Sequence, residues 1–309
     1  MNPNAWNLAW VGVVLIAALA QTARNAAQRS LTGTLGTWSA TLVRFLYGLP
    51  FAAACLALLY LLPGAPTEWP RLSAAYLGWL VLGAVSQVAA TGALLKAMQA
   101  RNFAIAVTLS KTEVLQIALF GAVALGEVPT PAMIGAMALA SLGVALLAWP
   151  RRGAADGAGL ARWLSPSAGW GLACGAAFAV ATVAYRAAAL ELGASSALLS
   201  AAWGVTLAQA MQTLGLGGWV AWRQPGGLAP VLRAWRVSLL AGAMGALASL
   251  AWFAAYALHT AAAVRTVGMV EVLFSLMVSR RLFREHLSGF EWAGLALVLL
   301  GIAWLLLRA

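Results

Sequence analysis

The chain has 309 residues, of which 63% are hydrophobic and only 9% charged, with a net charge of +11 and a mean hydropathy of +0.87. About a quarter of a soluble domain is charged, so this composition excludes a water-soluble globular protein, a disordered chain and a disulfide scaffold. The two cysteines, Cys55 and Cys174, each lie inside an apolar run, where cysteine serves as a small packing residue. The basic residues sit at the ends of apolar runs rather than in one patch, a pattern of headgroup contact and topology control rather than of nucleic-acid binding.

A membrane-spanning helix takes about 20 mostly apolar residues. Ten runs approach that length: residues 6–26, 37–62, 72–98, 103–125, 131–149, 166–190, 196–222, 237–258, 261–280 and 288–307. Helices are expected in all ten, because backbone groups find no water in hydrocarbon and must bond within the segment. Transmembrane strands would alternate apolar and polar residues, and these runs do not. The first run has no basic region before it and continues through Arg24 and Asn25, so it reads as a retained helix rather than a cleaved leader. Connections are short, as at Gly126-Glu127-Val128-Pro129. The stretch from Pro150 to Ser165 reads as a linker and divides the runs five and five.

That division exposes a repeat. A shift of 158 residues lays Glu113-Val114-Leu115 on Glu271-Val272-Leu273, Glu127 on Glu285, Thr108 on Thr266, Ala104 on Ala262 and Gly143 on Gly301. Each copy holds an odd number of runs, so the two copies are expected to insert in opposite directions. Inverted repeats of this kind are the plan of secondary transporters, with the substrate near the midplane.

Thr112-Glu113-Val114-Leu115 through Ala124-Leu125-Gly126-Glu127, and Val270-Glu271-Val272-Leu273 through Phe283-Arg284-Glu285 with Gly294 and Gly301 behind it, resemble the drug/metabolite transporter superfamily and its EamA-type members. The resemblance covers the whole chain. Arg284 stands where the first copy has Gly126. The resemblance implies an all-α integral membrane protein of ten transmembrane helices in two inverted five-helix repeats, residues 1–150 and 166–309 joined by a linker at 151–165. It also implies export or exchange of small metabolites through a cavity between bundles. The expected localisation is the bacterial inner membrane, multi-pass.

Connections after the odd-numbered runs carry most of the basic residues, among them Arg151, Arg152, Arg223, Arg233, Arg236, Arg280 and Arg281. Basic loops stay cytoplasmic, which predicts that both termini are periplasmic.

Lys111 and Glu113 lie near the middle of the fourth run, where a charge costs about 2.5–3.5 kcal/mol to insert and marks a functional position by default. They stand about 200° apart around a helix and so do not face each other. Glu271, at matching depth in the second copy, is the expected partner of Lys111. Two readings stay open: contact with substrate or coupling ion, and a structural ion-pair lock. If Glu113 and Glu271 approach each other, proton coupling follows from their repulsion; a cation between them removes it. Gln87 and Tyr256, on corresponding helices, with Trp252 one turn before Tyr256, offer hydrogen-bonding and aromatic groups for a pocket, or ordinary interface and helix-packing residues. Gln21, Arg24, Asn25 and Gln28 form a polar cluster late in the first run, and Arg186 ends the sixth similarly: vestibule groups or snorkelling side chains. His259 and Arg265 flank the ninth run and suit an anion, or simply a helix end. Gln209 and Gln212 share one helical face.

The substrate-binding candidates are therefore Lys111, Glu113, Glu271, Tyr256, Gln87 and Arg265. Two separated histidines and two apolar cysteines give no metal spacing. No phosphate loop or nucleophile elbow occurs, so no cofactor and no enzyme activity are expected, with a lipid-modifying enzyme as the opposing class. The expected partners are the bilayer and a small polar substrate, preferably an amino-acid-like zwitterion, with an organic anion or drug as the alternative. No nucleic-acid partner is expected, and the assembly is a monomer or homodimer.

Overall fold

The computed structural model describes residues 9–62, 69–99, 109–147, 166–224, 226–274, 277 and 289–308. Every regular element among them is helical: α1 Ala9–Leu46, α2 Leu49–Leu61, α3 Ala74–Gln99, α4 Glu113–Leu125, α5 Pro131–Leu147, α6 Pro166–Leu192, α7 Ala197–Arg223, α8 Ala229–Arg233, α9 Trp235–Leu258, α10 Ala261–Gly268 and α11 Gly289–Arg308. The linker expected at 151–165 lies outside the described residues, as do Ala104, Thr108 and Glu285 of the repeat.

The first two runs are divided differently from the expectation. Helix continues past the first run, with Ser30 and Thr34 donating back to the Ala27 and Leu31 carbonyls. It bends at Gly36, whose φ of 74° is open to glycine at little cost. Gln28 spans the bend and donates to the Ala40 carbonyl at 2.7 Å. The second run is then interrupted at Tyr47–Gly48, since Pro50 supplies no N–H to the ladder. The short α8, opened by Pro230, fills what the sequence presents only as a connection.

Among the described residues five stretches are long and apolar enough to cross a membrane: Ala9–Gln28, Ser30–Leu61, Ala74–Leu94, Gly169–Leu192 and Trp235–Leu258. Helices α4, α5 and most of α11 are apolar but shorter. Helix α7 has 27 residues, about 40 Å at 1.5 Å per residue, and carries Gln209, Gln212 and Thr213 in its length. Ala17, Ala18, Ala136, Ala140, Ala201 and Ala202 are fully buried, whereas Leu61, Leu119, Val123 and Leu214 are each more than 60% exposed. Closely packed small residues beneath an extensive outward-facing apolar surface are compatible with lipid as solvent, and so large an apolar surface would aggregate in water.

The described chain forms two compact units. Unit 1 comprises Met1–Val88 and Ala184–Thr260; unit 2 comprises Ala89–Val183 and Ala261–Ala309. Each draws on both sequence halves, so the compact units are a different division of the chain from 1–150 and 166–309.

In unit 1, α9 packs along α1, and α7 packs against α1, α2 and α9. Leu42, Phe45, Leu216 and Val220 form one buried cluster there. The Tyr47 hydroxyl donates to the Val231 carbonyl at 3.2 Å and ties α8 to the end of α1. In unit 2, α11 packs along α5 and α10 against α4. The α5–α11 seam depends on glycine. A Cβ on Gly143 would stand 2.7 Å from the Gly294 carbonyl oxygen and the Val298 nitrogen, and one on Gly301 2.7 Å from the Ala136 oxygen and 2.8 Å from the Ala140 nitrogen. Positions 143 and 301, 136 and 294, and 140 and 298 are each 158 apart. The seam is one contact made twice in reciprocal sense.

Candidate functional site

Unit 2 contains two interrupted helices. Leu109 and Ser110 are helical, Lys111 and Thr112 form a turn, and α4 begins at Glu113; α10 ends at Gly268, Met269 and Val270 form a turn, and helix resumes at Glu271. The turns lie at the same 158-residue offset. Both are tightened by bonds three residues back, Thr112 N–H to the Leu109 carbonyl at 3.2 Å and Met269 N–H to the Thr266 carbonyl at 3.1 Å. The Thr112 hydroxyl reinforces the first, donating to the Leu109 carbonyl at 2.6 Å while accepting from the Gln116 amide at 2.9 Å. The continuous helices expected over 103–125 and 261–280 are thus broken, and the candidate charges sit at the breaks.

Glu113 and Glu271 each occupy the first turn of the segment that follows a break, where unsatisfied backbone N–H groups favour a carboxylate. Arg265 lies in the last turn of α10 and Lys111 directly after helical Ser110, where carbonyl ends favour a cation. The pairs cross between helices. Lys111 Nζ stands 3.8 Å from Glu271 Oε2, and Arg265 Nη2 donates to Glu113 Oε1. The first is the partner expected from the repeat; the second joins two residues that the sequence left in separate arguments. All four are largely buried. Each carboxylate therefore faces a cation.

Helix α6 closes against the first break. Cys174 is fully buried beside the charges. At Gly175 an added Cβ would lie 2.9 Å from the Ser110 carbonyl oxygen and 3.4 Å from the Glu113 nitrogen. Gly175 thus serves close approach to the backbone on either side of the break. Glu127 joins the end of α4 to the start of α10: its Oε2 accepts from the Ala261 N–H at 3.4 Å, a carboxylate at a helix N-terminus. Among the described residues no group of three or more His, Cys, Asp or Glu is placed to hold a metal ion.

The other two candidates, Gln87 and Tyr256, belong to unit 1. Gln87 Oε1 accepts from the Tyr185 hydroxyl at 3.1 Å and from the Gln212 amide at 2.8 Å, and Gln212 also donates to the Ala84 carbonyl at 3.1 Å. Tyr185 fits because Gly83 has no side chain: a Cβ there would meet its ring at 2.5 Å. Tyr256 is buried and stacks on Trp252 at 6.1 Å, whose indole N–H donates to Gln21 Oε1 at 3.0 Å. Arg186 Nη1 donates to the Tyr256 and Ala257 carbonyls at 2.5 and 3.3 Å and caps the C-terminus of α9. His259 stacks on Trp10 at 4.5 Å, and Arg265, its neighbour in sequence, is engaged with Glu113.

Sequence reasoning passed over two residues. Arg44 is 5% exposed in the middle of the second run, and the mid-run charge that singled out Lys111 singles it out equally. Tyr185 is buried at 2%, but a tyrosine near the end of an apolar run reads as an interface residue.

No family model matches this chain, and no curated protein matches it. A solved crystal structure is similar in fold, with a TM-score of 0.69, covering 96% of this chain and 97% of the other at 20% identity. At that identity the likeness is one of fold: this chain is an all-helical protein, with helices suited to a membrane, whose architecture has a counterpart among solved proteins.

Proposed function

We propose that the chain is a secondary transporter of the EamA type within the drug/metabolite transporter superfamily, built as ten membrane helices in two inverted repeats. It sits in a bacterial inner membrane with both termini periplasmic, and moves a small polar metabolite by alternating access. One observation carries the reading: two helices broken at positions 158 residues apart, each with a glutamate at the break, whose glutamates pair crosswise with Lys111 and Arg265. Broken helices at matching positions of two halves are where transporters hold substrate and coupling ions, because half-helix ends present unsatisfied backbone groups to the ligand. The reciprocal glycine seam between α5 and α11 supports the same internal symmetry.

The chemistry of the cluster suits an amino-acid-like zwitterion. Its carboxylate exchanges with Glu113 or Glu271 for a cation, its ammonium exchanges with Lys111 or Arg265 for a carboxylate, and the net charge of the buried cluster stays at zero throughout. A substrate with one charge leaves one member of the cluster uncompensated, which is costly in this setting. Proton coupling through the two glutamates is not part of the proposal, because each faces a cation.

The test is counterflow with purified protein in liposomes. A labelled amino acid from a proteinogenic panel is expected to accumulate against an unlabelled internal pool, chemically unchanged, and to fail to do so with Lys111→Ala and Glu271→Gln protein that still folds. Conversion of a lipid or of the panel compound without movement identifies an enzyme and ends the transport reading.

A further inference from the structure

We propose that the end of unit 1 built by α7, α8 and α9 is a binding site for an anionic phospholipid, with Arg223, Arg233 and Arg236 on its phosphate. The site goes beyond the transport reading and involves none of the residues of the broken-helix cluster.

The chain reverses direction here. Helix α7 ends at Arg223, α8 follows at Ala229–Arg233, and α9 begins at Trp235 and packs against α7. Gly226 and Gly227, at φ 78° and 56°, make the turn. It is closed by the Gly227 N–H on the Gln224 carbonyl at 3.0 Å and the Ala229 N–H on the Gly226 carbonyl at 3.2 Å. The inner face of α8 is anchored: Val231 is buried with Leu31, Ala40 and Val43 of α1, and its carbonyl accepts from the Tyr47 hydroxyl. Leu232 and Arg233 are thereby left exposed. Arg223 stands three residues beyond Val220, which is buried with Leu42, Phe45 and Leu216 in a cluster that Leu228 also covers. The three arginines, all exposed, thus share one end of the unit on backbone that packing holds in place. Within unit 1 the acidic residues lie elsewhere. The sequence has no Asp or Glu before Glu68 and none between Glu191 and Glu271. Glu191 ends α6 just before α7 begins and accepts from Ser73 at 3.0 Å, and the 27 residues of α7 set it about 40 Å from Arg223. Glu68 lies outside the described residues; Trp69, the residue after it, packs edge-on against Trp203, in the second turn of α7, at 5.3 Å.

The surroundings match a headgroup and the chains below it. The Arg223 guanidinium lies 4.0 Å over the Trp222 ring and that of Arg236 5.5 Å over the Trp235 ring. Both indoles are more than half exposed, and exposed tryptophans mark the headgroup level of a bilayer. A guanidinium stacked on a ring keeps its N–H edge for an acceptor, and phosphate oxygens fit that edge two at a time. Leu232, Val237, Leu239 and Leu240 are exposed beside the arginines. A soluble phosphate has no use for such a surface; the glycerol and first methylenes of a lipid do.

The experiment is thermal unfolding of the purified full chain in detergent, titrated with dioleoylphosphatidylglycerol and, separately, with dioleoylphosphatidylcholine, inorganic phosphate and glycerol 1-phosphate. The anionic lipid is expected to raise the unfolding midpoint in a saturable way and the other three not to. Arg223→Gln, Arg233→Gln and Arg236→Gln are each expected to weaken half-saturation about fivefold, and the triple variant about a hundredfold. All three side chains are exposed, so these variants are expected to unfold as the native chain does when no lipid is added. The triple lysine variant separates a site from general attraction to a charged surface. It keeps the charge and loses the two-pronged geometry, and is expected to weaken half-saturation about tenfold. Arg71→Gln, two residues before Ser73 at the Glu191 end of the unit, is expected to leave the titration unchanged. No preference for the anionic lipid, an undiminished effect in either triple variant, or an equal loss in Arg71→Gln overturns the proposal. So does an equal response to inorganic phosphate or glycerol 1-phosphate, which makes the ligand a soluble anion. None of these readouts involves transport, so failed counterflow removes the transporter and leaves the lipid site standing, and an absent lipid preference does the reverse.

Discussion

Glu113 and Glu271 show what a single position can reveal from sequence and what it cannot. Each is a charge in an apolar run, and a charge in such a run is costly enough to need a reason. That rule makes Lys111, Glu113 and Glu271 visible, and the repeat supplies the Lys111–Glu271 pairing. The Arg265–Glu113 contact is not legible, because it joins positions 152 residues apart through a register that depends on where two helices break. The same rule applies to Arg44, whose burial in the second run follows from it. Removing one partner of a buried pair costs about 3–5 kcal/mol, mostly from the stranded charge, whereas replacing both costs far less. Glu113→Gln is therefore expected to lower the thermal unfolding midpoint sharply, and Glu113→Gln with Arg265→Gln to recover most of it. Transport separates lock from site: both proteins are expected to be inactive in counterflow, and a stable double variant with native transport makes the cluster purely structural.

At the level of elements, most helices follow from apolar run length, and their caps from local chemistry: Gly126 ends α4 at φ 68°, and Ser196 opens α7 by accepting from the Leu199 N–H at 3.1 Å. The breaks do not follow. Lys111-Thr112 contains neither glycine nor proline, so nothing local announces a turn there; it is held by the Thr112 hydroxyl and by α6 resting on the Ser110 carbonyl. Gly175→Ala is expected to cost about 1–3 kcal/mol by overpacking and to reduce transport, since the Cβ must push α6 away from the break. Gly12→Ala, with nothing within 4 Å of the added carbon, is the control and is expected to unfold and transport as the native chain does. Arg186→Met uncaps α9 and is expected to cost about 1 kcal/mol, read as an earlier unfolding midpoint with transport substrate preference unchanged.

For the whole molecule, composition narrows the solvent: apolar helices long enough to cross a membrane and a large outward-facing apolar surface are compatible with lipid. The two compact units were not legible, since each takes segments from both halves and one division cannot be read from the other. Topology rests on alternation of basic loops. A reporter fused after Ala309 is expected to be active only in its periplasmic form; a cytoplasmic signal reverses the orientation. The central claim is opposed insertion of two copies, and a matched pair of exposed positions tests it most directly. Arg71 and Ala229 are 158 residues apart, both exposed, and separated by α3, α4, α5, α6 and α7. With Cys55 and Cys174 replaced by alanine, Arg71→Cys is expected to react with a membrane-impermeant maleimide in intact cells and Ala229→Cys only after the membrane is permeabilised. Labelling of both from the same side would contradict the inverted repeat, and the transport mechanism built on it.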